Sequence, residues 1–157
     1  DVNAFRSVEK KDIPKGANIV SGRWVRSWKT DERGNVLKPK SYMVTRGCSQ
    51  EYRVDYLKVF APTPLTSSVK LDVGVAVKNV WGLRYFDVAK AFIQADLDFD
   101  VYSKLHQGCG DMSGRTVLLK SAAYGLHQSG RRWNLRFTKT FVEKIGMEQC
   151  KVDLCIF

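Results

Sequence analysis

The sequence contains no hydrophobic run long enough to cross a bilayer, and its first residues lack the apolar core and cleavage pattern of a secretory signal. We therefore expect a soluble intracellular protein rather than a membrane-spanning or secreted one. Its 157 residues suffice for the core of one ordinary domain. Position 1 is not methionine, which predicts that the chain was cut from something longer.

Motifs that bind zinc or nucleotides are also missing. The four cysteines form no C-x-x-C pair, and with two histidines available a zinc site would need ligands from distant segments. We expect reduced, mostly buried thiols. Neither G-x-x-x-x-G-K-[ST] nor G-x-G-x-x-G occurs, so the glycines of the segment HQGCGDMSG are predicted to form turns rather than to cradle a nucleotide.

Acidic residues are in short supply. The chain has 26 Lys and Arg residues against 16 Asp and Glu residues, which gives a formal net charge of +10. Such a field attracts polyanions, of which nucleic acid is the commonest. A merely soluble basic protein has the same composition, so charge alone does not decide between the two.

The first strong pattern that is present predicts a basic β-hairpin. Trp24 and Trp28 stand at even spacing within residues 19–29, which is typical of a half-buried strand, and a second strand is predicted over residues 40–46. The segment DERGN between them is a turn by composition. The hairpin carries basic residues at Arg23, Arg26, Lys29, Lys38, Lys40 and Arg46. A solvated charged face explains these residues as well as a phosphate contact does.

The remaining elements alternate between helices and strands. Residues 51–64 are predicted to be irregular because of their prolines, and a helix is predicted from Ser67 or Ser68 to Gly82. The core-facing stripe of that helix is predicted to consist of Val69, Val73, Ala76, Val77 and Val80. An acidic turn is predicted at Asp96, Asp98 and Asp100, followed by a short apolar run over 101–105, a strand over 115–120, a basic amphipathic helix over 129–145 and an interrupted strand over 153–157.

Asp87 is the residue on which a functional interpretation depends. Leu83, Tyr85 and Val88 are typical of a buried strand, so an aspartate among them lies at the open end of the strand or needs a partner. An aspartate that ends a strand and begins a helix often only caps the helix. The local pattern therefore leaves both capping and chemistry open.

Six segments, in a fixed order and at compatible spacing, carry a family resemblance. They are Trp24 and Trp28, Lys40 to Gln50, Asp55 to Pro62, Trp81 to Phe92, Tyr124 to Trp133, and Asp153 to Phe157. They match the motifs K-A-R-L-V-A-x-G-x-x-Q, D-Y-x-x-x-F-A-P, W-x-L-x-x-x-D-V-x-x-A-F, Y-G-L-x-Q-S-x-R-x-W and D-x-C-x-[FY] after a Trp-rich hairpin. Over nearly its whole length the chain thus resembles the reverse transcriptase of copia-type retrotransposons.

The resemblance implies an α+β right-hand polymerase fold with an antiparallel sheet and packed helices, of which this chain supplies the fingers and an incomplete palm. Residues 1–82 and 106–125 belong mainly to the fingers by this similarity, and residues 83–105 and 126–157 belong to the palm. The implied partners are an RNA template, a DNA primer, deoxynucleoside triphosphates and other parts of a polyprotein, including integrase and RNase H, with no membrane. The implied location is a cytoplasmic particle or the nucleus.

The resemblance also assigns roles to residues. Asp87 is implied as the catalytic carboxylate that holds Mg²⁺ or Mn²⁺, with the carbonyl of Val88 as a second ligand. Phe92 is implied to close the pocket under the incoming sugar. The implied nucleotide-binding residues are Phe92, Lys40, Arg46, Gly125 and Gln128, and the implied nucleic-acid-binding residues are Arg23, Arg26, Lys29, Arg131 and Arg132.

Departures from the family pattern set a limit on this interpretation. The family's Y-x-D-D turn, with its other carboxylates, is absent from the sequence, so we expect the chain to be inactive by itself. Tyr42 replaces an arginine, Gly130 and His106 replace prolines, and Ala95 replaces a glycine. Two further hypotheses stay open: a non-enzymatic, basic nucleic-acid-binding remnant, and a degenerate relic without function.

Overall fold

The computed structural model describes residues 4–157, which form one five-stranded sheet and two helices. The strands are β1 (Phe5–Ser7), β2 (Ile19–Thr30), β3 (Val36–Thr45), β4 (Asp96–Lys104) and β5 (Thr116–Ser121), in the order β1-β5-β4-β2-β3. The helices are α1 (Thr66–Lys78) and α2 (Ser129–Lys139). The predicted α+β class is confirmed at this level. The sheet is mixed rather than purely antiparallel, because β2 and β4 pair in parallel.

A small core lies on the central strands. It consists of Val20, Val101, Leu105, Val117, Leu119 and Leu126, all buried. The first five come from β2, β4, β5 and the residue after β4, whereas Leu126 comes from the loop before α2. That loop is therefore fixed to the sheet by burial of apolar surface, which is the main favourable term in folding.

The predicted hairpin is confirmed, although β3 begins four residues earlier than expected. Asp31 builds the turn, because its Oδ1 accepts hydrogen bonds from the N–H groups of Arg33 at 2.9 Å and Asn35 at 2.8 Å. Gly34 takes a positive φ of 84° there, as a turn glycine does. Hydrogen bonds from the side chain and N–H of Asn35 lower the pKa of Asp31, so the carboxylate stays ionised to a lower pH than an ordinary aspartate does.

The predicted helix over 67–82 is shorter and less buried than expected. It begins at Thr66 and ends at Lys78, and Val80 adopts a left-handed conformation before the predicted stop at Gly82. Ala76 is its only buried residue, so the prediction of a core-facing valine stripe was wrong. The helical spacing of the valines correctly predicts a helix. Burial of the valines would also need a packing partner, and no element in residues 4–157 provides one.

The start of α1 is tied to the C-terminal segment through Asp153. The buried carboxylate accepts the N–H of Leu65 at 2.8 Å and the N–H of Cys155 at 3.0 Å. Hydrogen bonds from the Cys155 N–H, the Leu65 N–H and the Ser68 side chain lower the pKa of Asp153. The predicted interrupted strand over 153–157 is instead a turn built on this carboxylate.

We expect Asp153→Asn to loosen α1, because an amide oxygen accepts these hydrogen bonds more weakly than a carboxylate does. A lowered pKa means that the stabilisation is fully present above the ordinary aspartate value and is lost as the pH falls through the lowered value. The protection factors of the α1 amides, which correct the exchange rate for its intrinsic pH dependence, should therefore fall at acidic pH in the parent. In the variant they should be low already at pH 7 and depend less on pH. Unchanged exchange at pH 7 would contradict this role.

The predicted strand that leads to Asp87 does not form. Residues 81–88 have no regular secondary structure, and the Tyr85 side chain is 99% exposed. A strand needs a neighbour for its backbone hydrogen bonds, and no strand of the described chain pairs with this segment. Asp87 is not a helix cap either, since the short 3₁₀ turn Ala91–Gln94 starts after Lys90, whose φ is 53°. The residue types here favour a strand, but the prediction of a strand was wrong because the segment has no neighbouring strand to pair with.

The predicted acidic turn is the first half of β4. Asp96, Asp98 and Asp100 alternate with Leu97 and Phe99, which pack against the core. Alternation of acidic and apolar residues is the period-two pattern of a half-buried strand, so the signal was present and was misread. The four cysteines are free, as expected. Cys48 is exposed and the other three are half-buried, which differs from the expected burial.

The second helix begins at Ser129 as predicted. It continues beyond Lys139 as a π-helical turn, Thr140–Ile145, and stops at Gly146 with a φ of 79°. The rings of Phe137 and Phe141 stack at 4.3 Å, and Phe157 packs on both. None of the helices in residues 4–157 is long and apolar enough to cross a membrane.

Candidate nucleic-acid interface

The hairpin protrudes from the sheet as a two-stranded ribbon. The pairing of β2 with β4 ends at Ser21, and from Gly22 onwards β2 pairs only with β3. Residues directly opposite in an antiparallel pair share a face. The register therefore puts Arg23, Lys29, Lys38, Lys40 and Tyr42 on one face, here called the cationic face. Trp24, Arg26 and Trp28 lie on the other, here called the tryptophan face.

The positive charges of the ribbon have no acidic partner among residues 4–157. The three ion pairs found there join Lys11 to Glu9, Arg132 to Asp98 and Lys139 to Glu143. Lys29 and Lys38 are directly opposite each other, and like charges in that position repel. A surface with uncompensated, converging positive charge is suited to a polyanion.

A surface cavity of about 390 Å³ lies at the root of the cationic face. It is lined by Arg23, Arg46 and Gly125 together with neighbours from β3 and the turn after it. The structure thus brings together three residues that the sequence analysis assigned separately to nucleic acid and to nucleotide. Arg23 and Arg46 are both exposed, so their guanidinium groups are available to a phosphate.

The backbones of two segments approach closely beside this cavity. The Thr45 N–H donates to the Tyr124 carbonyl at 2.8 Å, and Gly125 follows with a φ of 94°. A Cβ on Gly125 would lie 2.0 Å from the Thr45 carbonyl oxygen, and one on Gly47 would lie 2.1 Å from the Gly125 carbonyl oxygen. Gly125 therefore shapes the cavity wall by allowing this approach.

A row of aromatic rings connects the cationic face to the segment after Asp87. Phe92 packs edge-to-face on Tyr124 at 4.8 Å between centroids, and Tyr124 does so on Tyr42 at 6.2 Å. The Lys40 Nζ lies 5.6 Å from the centre of the Tyr42 ring, within reach of a cation–π contact. Phe92 and Lys40, predicted as nucleotide-binding residues, are thus linked. Tyr124 was not predicted, although its place directly before Gly125 in a matched motif was a usable signal.

Gln128, predicted to bind nucleotide, is buried in a hydrogen-bonded network of side chains. Its side chain is 0% exposed, with Nε2 donating to the Asp55 carbonyl at 2.8 Å and Oε1 accepting from Gln50 Nε2 at 3.0 Å. Gln50 Oε1 in turn accepts the His127 N–H at 2.8 Å. Gln128 fixes the 124–128 loop, because buried amides must keep their hydrogen bonds.

Asp55 completes this buried network and was not predicted as a site residue. Its carboxylate, 1% exposed, accepts Asn18 Nδ2 at 2.5 Å and the Glu51 N–H at 2.7 Å. Both Asp55 and Gln50 stand inside the matched motifs, which was the only sequence signal for them. The network joins residues 50–55 to the loop before α2 and so sets the position of the cavity wall.

Two of the arginines of α2, the predicted nucleic-acid contacts Arg131 and Arg132, are less exposed than expected. Arg132 Nε donates to the Asp96 carbonyl at 2.6 Å, and its Nη1 lies 3.6 Å from Asp98 Oδ2. These contacts fix α2 on β4, so Arg132 has a structural role, and its predicted contact with nucleic acid stays a prediction. Arg131 is half-buried beside it.

Asp87 is exposed and Val88 is half-buried. None of the ion pairs in residues 4–157 involves Asp87, and no group of three His, Cys, Asp or Glu side chains in that range is placed to hold a metal ion. A hard divalent cation needs several oxygen ligands. The described residues therefore do not by themselves form the expected Mg²⁺ or Mn²⁺ site.

Comparison with known proteins gives one consistent result. Residues 3–157 match the family model described as "Reverse transcriptase (RNA-dependent DNA polymerase)". The Retrovirus-related Pol polyproteins from transposons RE2 and RE1 of Arabidopsis thaliana are 30% and 31% identical over 146 residues, or 92% of this chain. The corresponding polyprotein from transposon TNT 1-94 of Nicotiana tabacum is 24% identical over 149 residues, or 93% of the chain.

The matched region is a small part of each relative. It covers 10% of the two Arabidopsis polyproteins and 11% of the tobacco polyprotein. No solved structure matches the chain significantly. The similarity therefore bears on this stretch of the polyproteins and not on their other parts.

Proposed function

This chain belongs to the reverse transcriptase (RNA-dependent DNA polymerase) family, in its copia-type retrotransposon branch, and from that premise we propose that it forms the fingers and part of the palm of the polymerase. In this proposal the cationic face of the hairpin binds the RNA template and DNA primer. The observation that supports it most directly is the uncompensated charge of Arg23, Lys29, Lys38 and Lys40 on one face of a protruding ribbon. Arg26, on the opposite face, contributes to the same field.

The incoming deoxynucleoside triphosphate is proposed to bind between the root cavity and the aromatic row. Arg46 and Lys40 supply positive charge for its phosphates, and Phe92, held by Tyr124, limits the space beside its sugar. Gly125 contributes the close backbone approach that forms the cavity wall. Gln128 supports this site from beneath by fixing the loop.

Asp87 is proposed to be one ligand of the divalent metal that reverse transcriptases generally use, with the Val88 carbonyl beside it. The metal, Mg²⁺ or Mn²⁺, supplies neutralisation of phosphate charge when bound. The other carboxylates have to come from outside the described residues, because residues 4–157 hold no cluster of three potential ligands. The proposed setting is an intracellular particle or the nucleus, with the remaining parts of a polyprotein as partners.

A second candidate function is nucleic-acid binding without catalysis. The cationic face lies entirely within the described residues, whereas the metal-ligand set does not. Both candidate functions require binding of nucleic acid. They differ in that only the polymerase would lose activity in primer extension when Asp87 is replaced.

The binding step is tested by the salt dependence of affinity for an RNA–DNA primer–template. Each lysine that contacts a phosphate contributes about 0.7 to 0.9 to the slope of log K against log salt concentration. Because this slope is negative, we expect the double variant Lys29→Ala/Lys38→Ala to make it shallower, by about 1.5 in magnitude. Fluorescence anisotropy of a labelled duplex at salt concentrations between about 50 and 200 mM measures this slope.

The matched control is Lys70→Ala/Lys78→Ala, which removes two exposed lysines from α1. This control should leave the slope within error of the parent. Equal slopes for the parent and both double variants would overturn the assignment of the cationic face.

A further inference from the structure

Trp24 and Trp28 lie on the same face of the ribbon but in different surroundings. Trp24 is half-buried, its Nε1 donates to the Gln107 carbonyl at 2.7 Å, and Gly108 packs against its ring. Trp28, four residues further along β2, is 67% exposed. The loop that covers Trp24 does not reach it, so a large apolar ring remains in solvent at the outer part of the hairpin.

Most of the Trp28 side chain is accessible to a ligand. None of the aromatic pairs or cation–π contacts within residues 4–157 involves it. Two adjoining surface cavities, of about 450 and 640 Å³, flank it. Their charged lining residues are all basic: Arg26, Lys29, Lys38 and Lys40.

We propose that Trp28 is a stacking site for an unpaired base of a single-stranded nucleic acid, whose phosphates lie on Arg26 of the same face and, through the cavity that borders both faces, on Lys29 and Lys38. This inference rests on the proposed function and adds a contact on the opposite side of the ribbon. Each nucleotide carries a flat base and a negatively charged phosphate. The surface around Trp28 offers the complementary groups, an exposed flat ring and adjacent positive charges. Base stacking on an exposed aromatic ring beside basic residues is sequence-tolerant and strong enough to measure.

The charge around Trp28 favours this occupant over an apolar protein surface. A protein partner that covered the ring would have to remove four cationic groups from water, which is unfavourable without matching acids. A nucleic acid supplies a negative charge with every ring and leaves the cations solvated at the rim. An acidic peptide would satisfy the charge but offers no planar ring.

The test compares Trp28→Ala with Trp81→Ala in the 157-residue chain. Trp81 is 65% exposed and lies outside the ribbon, so it is matched in residue type and exposure. The probes are a labelled 12-nucleotide oligothymidylate and an abasic strand of the same length. We expect Trp28→Ala to bind the oligothymidylate about tenfold more weakly than the parent does, equivalent to about 1.4 kcal/mol. Its affinity for the abasic strand and its salt slope should stay unchanged.

The outcomes separate the two proposals. Absence of salt-dependent binding to either strand would overturn the proposed function. Salt-dependent binding in which the parent does not prefer the base-containing strand, or in which both tryptophan variants behave alike, would overturn the stacking site alone. An acidic peptide of glutamates that competes as well as oligothymidylate does would also overturn it.

A folding control accompanies these measurements. Thermal melting of Trp28→Ala should match that of the parent, because the side chain is exposed. If the alanine variant melts early, Trp28→Phe keeps a flat ring and should retain most of the preference for bases. Loss of the preference in a well-folded Trp28→Phe would count against stacking.

Discussion

Gly125→Ala is expected to destabilise the protein by about 3 kcal/mol, which is a large part of the stability of a small domain. Two costs add at this position. The φ of 94° is strained for any residue with a Cβ, and that Cβ would lie 2.0 Å from the Thr45 carbonyl oxygen. The backbone has to move apart, which breaks the hydrogen bond from the Thr45 N–H to the Tyr124 carbonyl. Urea denaturation followed by circular dichroism measures the loss.

Gly146→Ala is the matched control for this prediction. Its φ of 79° is equally unfavourable for alanine, but no atom lies within 4 Å of the new Cβ. We expect it to lose only the conformational part, about 1 kcal/mol. Equal losses in the two variants would show that the close approach to β3 contributes nothing, and would remove the structural basis for the cavity wall.

The same close approach shows why the site was only partly predictable from the sequence. The family motif indicated that Gly125 matters, and a glycine in a loop is a local signal for a positive φ, which Gly125 has. The contact with Thr45, 80 positions earlier in the chain, is a long-range fact that no local pattern contains. Gln128 illustrates the same limit, because its motif position predicted a nucleotide contact whereas its hydrogen bonds to Gln50 and Asp55 bury it.

Elements that depend on local interactions were predicted best. The hairpin is fixed by a turn that Asp31 and Gly34 close within five residues, and α2 by its own periodicity and a glycine stop. The segment around Asp87 failed for the opposite reason. Its residues favour a strand, but a strand exists only where another strand accepts its hydrogen bonds. The exposed valines of α1 have the same explanation, because helical periodicity predicts which residues share a face but not which element packs against that face.

The exposure of Asp87 makes its replacement a clean test of chemistry. Its side chain is exposed and takes part in no ion pair among residues 4–157, so Asp87→Asn should leave thermal stability unchanged. In a polypeptide that carries this chain within its complete reading frame, we expect the same change to reduce metal-dependent primer extension on an RNA template. The reduction should be on the order of 10²- to 10³-fold, because asparagine keeps the shape and removes the negative charge that a divalent cation requires.

Asp72→Asn on α1 is the control, since it removes another exposed carboxylate and should leave extension unchanged. Binding of the primer–template should persist in both variants, because the cationic face is intact. A loss of extension without a loss of binding separates the polymerase from the non-enzymatic binder. If Asp87→Asn extends primers as fast as the parent, the catalytic assignment of Asp87 fails, while the salt-dependent binding of the hairpin stands on its own evidence.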